Sequence, residues 1–174
     1  MNAKGADITP GPIFSSIYQE HFPMVFRFGF RLLGDTEQAM DLSQEVFLKL
    51  YAALNGGPEI LEIKSWLFRT AANLSYDWLR RKRRYSTLLR SDFDVRDAPE
   101  NVEGEFIRSE DRKAVKASLD RLAPRDRILL TLYAEGLPYR EIARTMALRE
   151  SSVGKLIARA VQSLSREFKE GERR

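Results

Sequence analysis

The densest run of cationic side chains in the sequence directly follows a stretch rich in aromatic residues. Five consecutive cations occupy residues 80–84, after Trp66, Phe68, Tyr76 and Trp78. Because consecutive residues of a helix point in different directions, these cations would surround a helix rather than line one face. A collar of this kind suits backbone phosphates and carries no sequence code. The spacing of the tryptophans favours core packing, and stacking of the aromatic rings on unpaired bases is the alternative.

A second pattern lies at residues 135–160, EGLPYREIARTMALRESSVGKLIARA. The pattern consists of a helix ending at Gly136, a short helix, a turn of three or four residues around Leu148, and a longer amphipathic helix. The short helix is expected to bury Ile142, Ala143 and Met146. This order is typical of a helix-turn-helix, a fold that places its second helix in the DNA major groove. A helical hairpin without a ligand is the alternative.

The last helix of that pattern combines hydroxyl groups with few charges. Ser151 and Ser152 are predicted to cap it, which leaves hydroxyl and N–H groups where phosphates bind favourably. Over residues 150–164 the only cations are Lys155 and Arg159, and Gly154 lies in the first turn. Glycine inside a helix costs about 1 kcal/mol relative to alanine. The polar face therefore suits positioning on phosphates and limited base reading.

A third pattern is the stretch DLSQEVFLKLY at residues 41–51. Apolar residues at helical spacing predict a buried stripe of Ala39, Leu42, Val46, Leu50 and Leu54. Other faces of the same helix carry Asp41, Gln44, Glu45, Leu48 and Lys49. This exposed set is either an ordinary solvated surface or a docking face for a basic partner helix.

Composition excludes several classes of protein. The chain has 174 residues, 43% hydrophobic and 31% charged, with no cysteine and one histidine. Disulfides, thiolate zinc sites and cysteine nucleophiles are thereby excluded, and the composition fits a reducing cytoplasm. No apolar run reaches membrane-spanning length, and the N-terminus lacks the apolar run of a signal peptide. Catalytic motifs and paired carboxylates are absent, so we expect no enzyme, no catalytic residue, no metal and no cofactor.

Net charge divides the chain into three parts. Residues 1–85 carry +2, residues 86–111 carry −5 and residues 112–174 carry +7. Two solvated helical surfaces joined by a solubilising linker would also produce this distribution. We predict a disordered N-terminus at residues 1–12, a helical domain at 13–85, an acidic linker at 86–111 and a second helical domain at 112–174.

Helical periodicity and breaker residues indicate an all-α protein. Pro23 is a possible start of a second helix, and Gly34 is a helix stop. Asp35 or Thr36 is expected to cap the helix that carries the third pattern, and Ser65 the helix that leads into the cationic run. Pro124 is predicted to start a helix of the second domain. No β-strand alternation of useful length appears.

Together these stretches resemble the extracytoplasmic-function sigma factors of bacterial RNA polymerase over residues 13–85 and 112–169. DLSQEVFLKLY looks like the polymerase-docking helix of that family, and SWLFRTAANLSYDWLRRKRR looks like its promoter-melting helix. The second half resembles the domain that reads the minus-thirty-five promoter element. Family members commonly carry cations near positions 154 and 156, where this sequence has Gly154 and Leu156.

The resemblance implies roles for particular residues. Polymerase clamp helices of the largest subunit would bind Asp41, Gln44, Glu45 and Leu48. The minus-ten element would meet Lys64, Phe68, Asn73, Asp77, Arg80, Arg81, Lys82, Arg83 and Arg84. The helix-turn-helix would contact the minus-thirty-five element through Tyr139, Arg149, Glu150, Ser151, Ser152, Lys155 and Arg159.

The resemblance also implies partners. These are core RNA polymerase, including the flap of its second-largest subunit, promoter DNA and an anti-sigma factor, for a cytoplasmic protein that does not insert into membranes. The acidic linker would occupy a channel meant for RNA, or would serve only to solubilise. A stand-alone helix-turn-helix regulator of the LuxR type is the alternative, although it leaves residues 13–85 without a role. A module that sequesters a protein partner through residues 13–85 is a third interpretation.

Overall fold

The computed structural model describes residues 11–56, 58–89 and 109–172. These ranges contain no strand, and the predicted all-α fold is confirmed. In chain order the helices are α1 (Pro12–Leu33), α2 (Thr36–Leu54), α3 (Ile63–Leu89), α4 (Ser109–Arg121), α5 (Pro124–Ala134), α6 (Tyr139–Met146) and α7 (Glu150–Glu172). None of these helices combines the length and apolar character that crossing a bilayer requires.

Two predicted boundary segments fall mostly outside the described residues. The structure does not describe residues 1–10, from the N-terminus expected to be disordered. It also does not describe residues 90–108, from the expected linker. Helix α1 already begins at Pro12, and α3 continues to Leu89, past the expected domain end at residue 85.

Of the one or two helices that the spacing of this stretch allowed, the structure has one: α1 is continuous, and Pro23 lies inside it. Proline has no N–H and therefore cannot donate to the carbonyl of Gln19. The helix buries Val25, Phe28 and Leu32 in the turns that follow, and this packing offsets the missing hydrogen bond. The expected stop is confirmed, because Gly34 adopts a left-handed conformation (φ 70°) at the C-cap.

Helix α2 packs its predicted stripe against α1. Asp35 caps the helix, since its side chain accepts a 2.9 Å hydrogen bond from the backbone N–H of Gln38. The stripe is buried at Ala39, Leu42, Val46 and Leu50, but Leu54, in the last turn, is exposed, against expectation. The two helices approach closely at Gly29, where an added Cβ would lie 3.0 Å from Cδ2 of Leu42.

Helix α3 begins before the expected cap. The backbone N–H of Trp66 donates to the carbonyl of Glu62 at 3.0 Å, so Ser65 lies inside the first turn rather than at the cap. Leu67 and Ala71 are buried on one side of the helix. Leu74 and Trp78 are partly buried against the same core.

The second half is a four-helix unit. Pro124 starts α5 as predicted, and Gly136 (φ 77°) follows its end. Helices α6 and α7 are joined by a three-residue turn, Ala147 to Arg149, which confirms the helix-turn-helix layout. Helix α7 starts at Glu150, and Ser152 N–H donates to the carbonyl of Arg149 at 2.9 Å. Ser151 and Ser152 therefore lie in the first turn and are not caps.

The two halves pack against each other. Helix α5 contacts α1 and α3, and α6 contacts α3. Buried residues of both halves belong to one apolar cluster, which runs from Val25 and Phe28 on α1 to Leu132 on α5 and Ile157 on α7. The molecule therefore has a continuous core rather than two separate ones.

Candidate functional site

The first candidate face lies on α2 and is named the docking face: Asp41, Gln44, Glu45 and Leu48. These residues are spaced i, i+3, i+4 and i+7, so they share one side of the helix. All four are exposed, and Leu48 keeps 67% of its surface accessible. A large apolar side chain beside two carboxylates suits contact with a protein partner of opposite charge.

An aromatic cluster lies between α1 and α2. The ring of Phe47 lies 4.8 Å from that of Tyr18 and 6.1 Å from that of Phe22, measured between centroids. Phe14 packs edge-on against Tyr51 at 5.3 Å. Because these rings hold α2 against α1, the docking face has a fixed orientation on the molecule.

The second candidate face lies along α3 and is named the melting face: Asn73, Asp77, Arg80 and Arg84. These four residues are spaced i, i+4, i+7 and i+11, and all are exposed. The amide of Asn73 can hydrogen-bond a base edge once the base is unstacked. Arg80 and Arg84 continue the same side toward the end of the helix, where a duplex could meet them.

Two residues predicted for this face lie elsewhere. Phe68 is only 1% exposed and packs edge-on against Phe28 with centroids 5.5 Å apart. Its expected contact with DNA is therefore wrong, because the side chain forms part of the core. Lys64 is exposed but lies nine residues before Asn73, which places it half a turn away around the helix.

The remaining cations of residues 80–84 point in other directions, as the sequence indicated. All five are exposed. Lys82 lies over the Trp78 ring, with Nζ 5.0 Å from its centroid, and Arg81 donates to the carbonyl of Asp77 at 3.3 Å. The run is thus a collar that surrounds α3 and presents positive charge on every side.

The third candidate face, named the recognition face, lies on α7: Ser151, Lys155 and Arg159. Val153, Ile157 and Ala160 are buried on the opposite side of the helix, which fixes this face toward solvent. Arg149 and Glu150 are exposed at its start, and Ser152 is half-buried. The arrangement presents hydroxyl groups and two cations on one side of a helix that is long enough to enter a major groove.

Gly154 lies where α6 meets α7. A Cβ on Gly154 would be 3.4 Å from the ring of Tyr139, and that residue keeps 43% of its surface exposed. Tyr139 also faces Tyr133 at 6.3 Å between centroids. The tyrosine ring therefore occupies the space beside residue 154, where the family commonly carries a cation.

Sequence reasoning missed an extension of the recognition face. Arg166 is exposed and follows Arg159 by seven residues, on the same side of α7. The spacing was visible in the sequence, but the expected helix-turn-helix contacts stopped at Arg159.

A cleft of about 470 Å³ lies between α3 and the second half of the chain, beside their direct contacts. Its walls on one side are Arg69, Ala72, Asn73 and Tyr76, and on the other Arg125, Ile128 and residues 144–147. Thus Asn73 faces the helix-turn-helix half across this cleft. No group of three or more histidine or acidic residues in the described ranges is placed to hold a metal ion.

Comparison with protein families matches both halves of the chain. Residues 17–85 match the model of Sigma-70 region 2, and residues 112–164 match that of Sigma-70, region 4. The docking and melting faces lie in the first match, and the recognition face lies in the second.

Three relatives with curated descriptions are each described as an ECF RNA polymerase sigma factor. The chain is 33% identical over 158 residues to the ECF RNA polymerase sigma factor SigE of Mycolicibacterium smegmatis, covering 88% of this chain and 60% of the relative. It is 28% identical to SigM of Bacillus subtilis, covering 89% of this chain and 94% of that one. SigL of Mycobacterium tuberculosis is 26% identical, with 92% and 91% covered.

A solved structure shares the fold. The sigma factor RpoE of Bartonella quintana, in complex with the anti-sigma factor NepR, matches with a TM-score of 0.69 at 22% identity, covering 90% of this chain and 97% of the other. The order of the two regions, the curated relatives and the shared fold agree. The chain therefore belongs to the extracytoplasmic-function sigma factors, which direct bacterial RNA polymerase to promoters.

Proposed function

We propose that this chain binds core RNA polymerase through the docking face, contacts two promoter elements through its two halves and assists opening of the minus-ten element. The observation that carries the proposal is the presence, in one chain, of an exposed acidic and apolar face on α2, a polar face ending in a cationic collar on α3, and a helix-turn-helix. A stand-alone regulator needs only the last of these.

The polymerase contact rests on the docking face. Asp41 and Glu45 are exposed one helical turn apart, with Leu48 beyond them. The largest subunit's clamp helices would supply the basic partner, and the flap of the second-largest subunit would bind the second half. Complementary charge raises the rate and specificity of such an encounter, while burial of the leucine on binding adds apolar area.

The promoter contacts divide between the halves. Asn73 and Asp77 would lie at the unpaired strand of the minus-ten element, with Lys64 at its edge, and Arg80, Arg81, Lys82, Arg83 and Arg84 would hold the adjoining duplex by its phosphates. Tyr139, Arg149, Glu150, Ser151, Ser152, Lys155 and Arg159 would contact the minus-thirty-five element. The domain division at residues 13–85 and 112–174 follows this separation of tasks.

We further infer a non-enzymatic, cytoplasmic protein regulated by an anti-sigma factor. The structural neighbour was solved in complex with an anti-sigma factor, which supports such a partner here. The residues 86–111 carry a net charge of −5, which suits a segment that lies among basic polymerase residues.

Charge reversal on the docking face tests the proposal. Asp41→Lys and Glu45→Lys, singly and together, should weaken binding to core polymerase by about tenfold or more, because each would oppose a basic partner. Binding to naked promoter DNA should stay within about twofold. Glu20→Lys, at an exposed acid on α1, is the charge-matched control.

Run-off transcription with core polymerase tests the wild-type chain. The proposal requires start-site selection that depends on adding this protein. Specific DNA binding and activation in the absence of any polymerase contact would instead establish a stand-alone regulator. Unchanged polymerase affinity in the double reversal would remove the docking face from the proposal.

A further inference from the structure

The cleft between α3 and the second half of the chain carries an excess of positive charge. Three of its ten lining residues are arginines, named here the cleft arginines: Arg69 on α3, Arg125 on α5 and Arg144 on α6. No acidic residue is among those ten, and neither Arg125 nor Arg144 forms an ion pair within the part of the chain that the structure describes. Because like charges around one cleft repel one another, a bound anion would stabilise this arrangement.

Polar contacts fix the walls of the cleft. Arg69 Nη2 donates to the carbonyl of Arg144 at 3.2 Å, which brings the guanidinium of α3 to the end of α6. At the end of α5, the Glu135 carboxylate lies between two arginines of α1, 3.3 Å from Nε of Arg27 and 2.8 Å from Nη1 of Arg31. A guanidinium has five N–H donors, so Arg69 keeps donors for a ligand. The cleft is therefore formed by the folded chain itself, as most small-molecule sites are.

A buried hydroxyl in the α6 wall lacks a hydrogen-bond partner. Thr145 lines the cleft and is 5% exposed, and its Oγ1 makes no hydrogen bond in the described ranges. A helical threonine can donate to the carbonyl one turn earlier, as Thr131 does to that of Arg127 at 2.9 Å. Thr145 does not use this option. Because an unpaired buried hydroxyl is unfavourable, its place beside the cleft arginines points to a ligand oxygen as its partner.

The α3 wall supplies groups that suit an aromatic base. Arg69, Asn73 and Tyr76 are spaced i, i+4 and i+7, so they share one side of the helix. Tyr76 is 40% exposed, and an exposed tyrosine ring can stack on a base. The Asn73 amide carries both donors and an acceptor for the edge of a base. This wall therefore offers a place for a base next to a place for phosphates.

The dimensions of the cleft favour a small molecule over a nucleic-acid strand. Its volume of about 470 Å³ lies within the range of roughly 300–1,000 Å³ that is typical of small-molecule sites. A duplex could touch the exposed arginines from outside, but its backbone would not reach the buried hydroxyl of Thr145. Guanidinium groups match phosphate oxygens in geometry as well as in charge, and three of them suit a chain of two or more phosphates.

We propose that this cleft binds a nucleoside diphosphate or triphosphate. The cleft arginines bind its phosphates, and Thr145 donates to a phosphate oxygen. The base stacks on Tyr76 and hydrogen-bonds to Asn73. Binding goes beyond the proposed function and does not depend on it. One consequence does rest on the proposed function: because Asn73 is also proposed to meet the minus-ten strand, a nucleotide and an unpaired base would compete for the same amide.

Isothermal titration calorimetry on the full chain tests the proposal, with ADP, GDP and inorganic pyrophosphate as probes. Each probe should bind at one site per chain, and the nucleotides should bind more tightly than pyrophosphate because only they carry a base. Arg125→Gln and Arg144→Gln should each weaken binding of all three probes by about tenfold, because each removes a charge-assisted hydrogen bond. Absence of binding for all three probes at millimolar concentration would overturn the proposal.

Thr145→Val separates loss of the ligand contact from damage to the fold. Valine is similar in shape to threonine but has no hydroxyl. Because the hydroxyl has no partner in the described chain, its removal should leave the midpoint of thermal unfolding unchanged or raise it. Affinity for ADP should nevertheless fall by about threefold to tenfold, since a hydrogen bond to a phosphate oxygen is lost. A lowered midpoint with unchanged affinity for ADP would contradict the proposal.

Tyr76→Ala distinguishes a nucleotide from a bare anion. The variant should bind ADP about tenfold more weakly but pyrophosphate within about twofold of wild type, because pyrophosphate has no ring to stack. Lys169→Gln, at an exposed cation of α7 that does not line the cleft, is the charge-matched control for the arginine variants. It should leave all three affinities within about twofold. Equal losses in Lys169→Gln and Arg144→Gln would indicate unspecific attraction of anions and overturn the site.

Promoter DNA is the competing occupant of the cleft arginines. If these arginines hold DNA phosphates instead, Arg125→Gln and Arg144→Gln would weaken promoter binding while none of the three probes binds. That result would overturn the proposal in favour of a DNA contact. The titrations contain no polymerase or DNA, so failure of nucleotide binding and failure of sigma activity are separate outcomes.

Discussion

Helices α3 and α7 present their cations in two different ways. On α3 the five cations of residues 80–84 surround the helix, and Lys82 even folds back over Trp78. On α7 the cations Lys155, Arg159 and Arg166 share one side, because Val153, Ile157 and Ala160 fix the other side in the core. The collar attracts phosphates from any direction, whereas the recognition face can act only in one orientation.

The comparison shows what fixes the orientation of the polar side chains on each helix. Helix α7 gains its orientation from burial, so its few polar groups are presented at defined positions. The collar follows the part of α3 that packs into the core, and its contribution depends on charge more than on geometry. In the proposed function, affinity and orientation are thus supplied by different helices.

The largest effect is expected from removing the positive charges of the collar. Replacing all five cations of residues 80–84 with glutamine should lower promoter affinity of the polymerase complex by about a hundredfold or more at low salt. The slope of log affinity against log salt should flatten by about 0.9 for each phosphate that the variant no longer neutralises, because fewer counterions are released. Fluorescence anisotropy of labelled promoter DNA over a salt series measures both quantities.

Lys64→Gln is the single-cation comparison for that experiment. This exposed cation lies on the same helix but half a turn away from the melting face, at the edge of the proposed contact, so its replacement should change the slope by no more than about 0.9, the effect of one phosphate. An unchanged slope in the five-residue variant would make the collar an ordinary solvated surface.

A smaller effect is expected from weakening the contact between α4 and α5, the two helices that pack against the recognition helix α7. Arg127 is 4% exposed and donates to Asp120, while its Nε has no hydrogen-bond partner. Asp120→Ala leaves this buried cation uncompensated and should lower the free energy of unfolding by about 1–3 kcal/mol. Thermal unfolding should shift down by about 3–10 °C. Glu170→Ala, at an exposed position of α7, should shift it by less than about 2 °C, and equal shifts would contradict the role given to the pair.

The smallest expected effect is the change in stability caused by an added Cβ at Gly154, inside the recognition helix α7. Gly154→Ala should raise the free energy of unfolding by up to about 1 kcal/mol, because a Cβ there meets only the exposed ring of Tyr139 at 3.4 Å. Gly29→Ala should instead destabilise, since its Cβ would press on Leu42 Cδ2 at 3.0 Å in the core. Chemical denaturation measures both, and opposite signs are required.

The helices were predictable from the sequence where the spacing of apolar residues and the positions of glycine and proline indicated the same helix boundaries. The stripe Ala39, Leu42, Val46 and Leu50, the stop at Gly34 and the start at Pro124 all follow from spacing and local backbone chemistry. The errors lie at helix starts and ends. Ser65, Ser151 and Ser152 were expected as caps, but in each case the helix extends one or more residues further back, because cap preference is weak beside tertiary packing.

The single α1 helix and the buried Phe68 could not be read from local sequence. Packing of α1 into the core holds the helix together across the hydrogen bond missing at Pro23, and Phe28 supplies the contact that buries Phe68. Both depend on residues brought together by the fold. The exposed docking face was easier to predict, since its spacing alone separates Asp41 and Glu45 from the apolar stripe.

The contact between the halves left no local signal. Glu135 belongs to a helix-ending sequence, and the arginines it binds lie more than a hundred residues earlier. Only the folded chain shows that the three side chains meet, because long-range ion pairs have no periodicity of their own.

The continuous apolar core has a consequence for how the molecule unfolds. Residues of α1, α3, α5 and α7 share one buried cluster, so neither half can lose its packing without exposing apolar surface of the other. The chain should therefore melt as one cooperative unit whose calorimetric and van't Hoff enthalpies agree. A calorimetric enthalpy clearly larger than the van't Hoff enthalpy would instead mean that the two halves unfold as separate units.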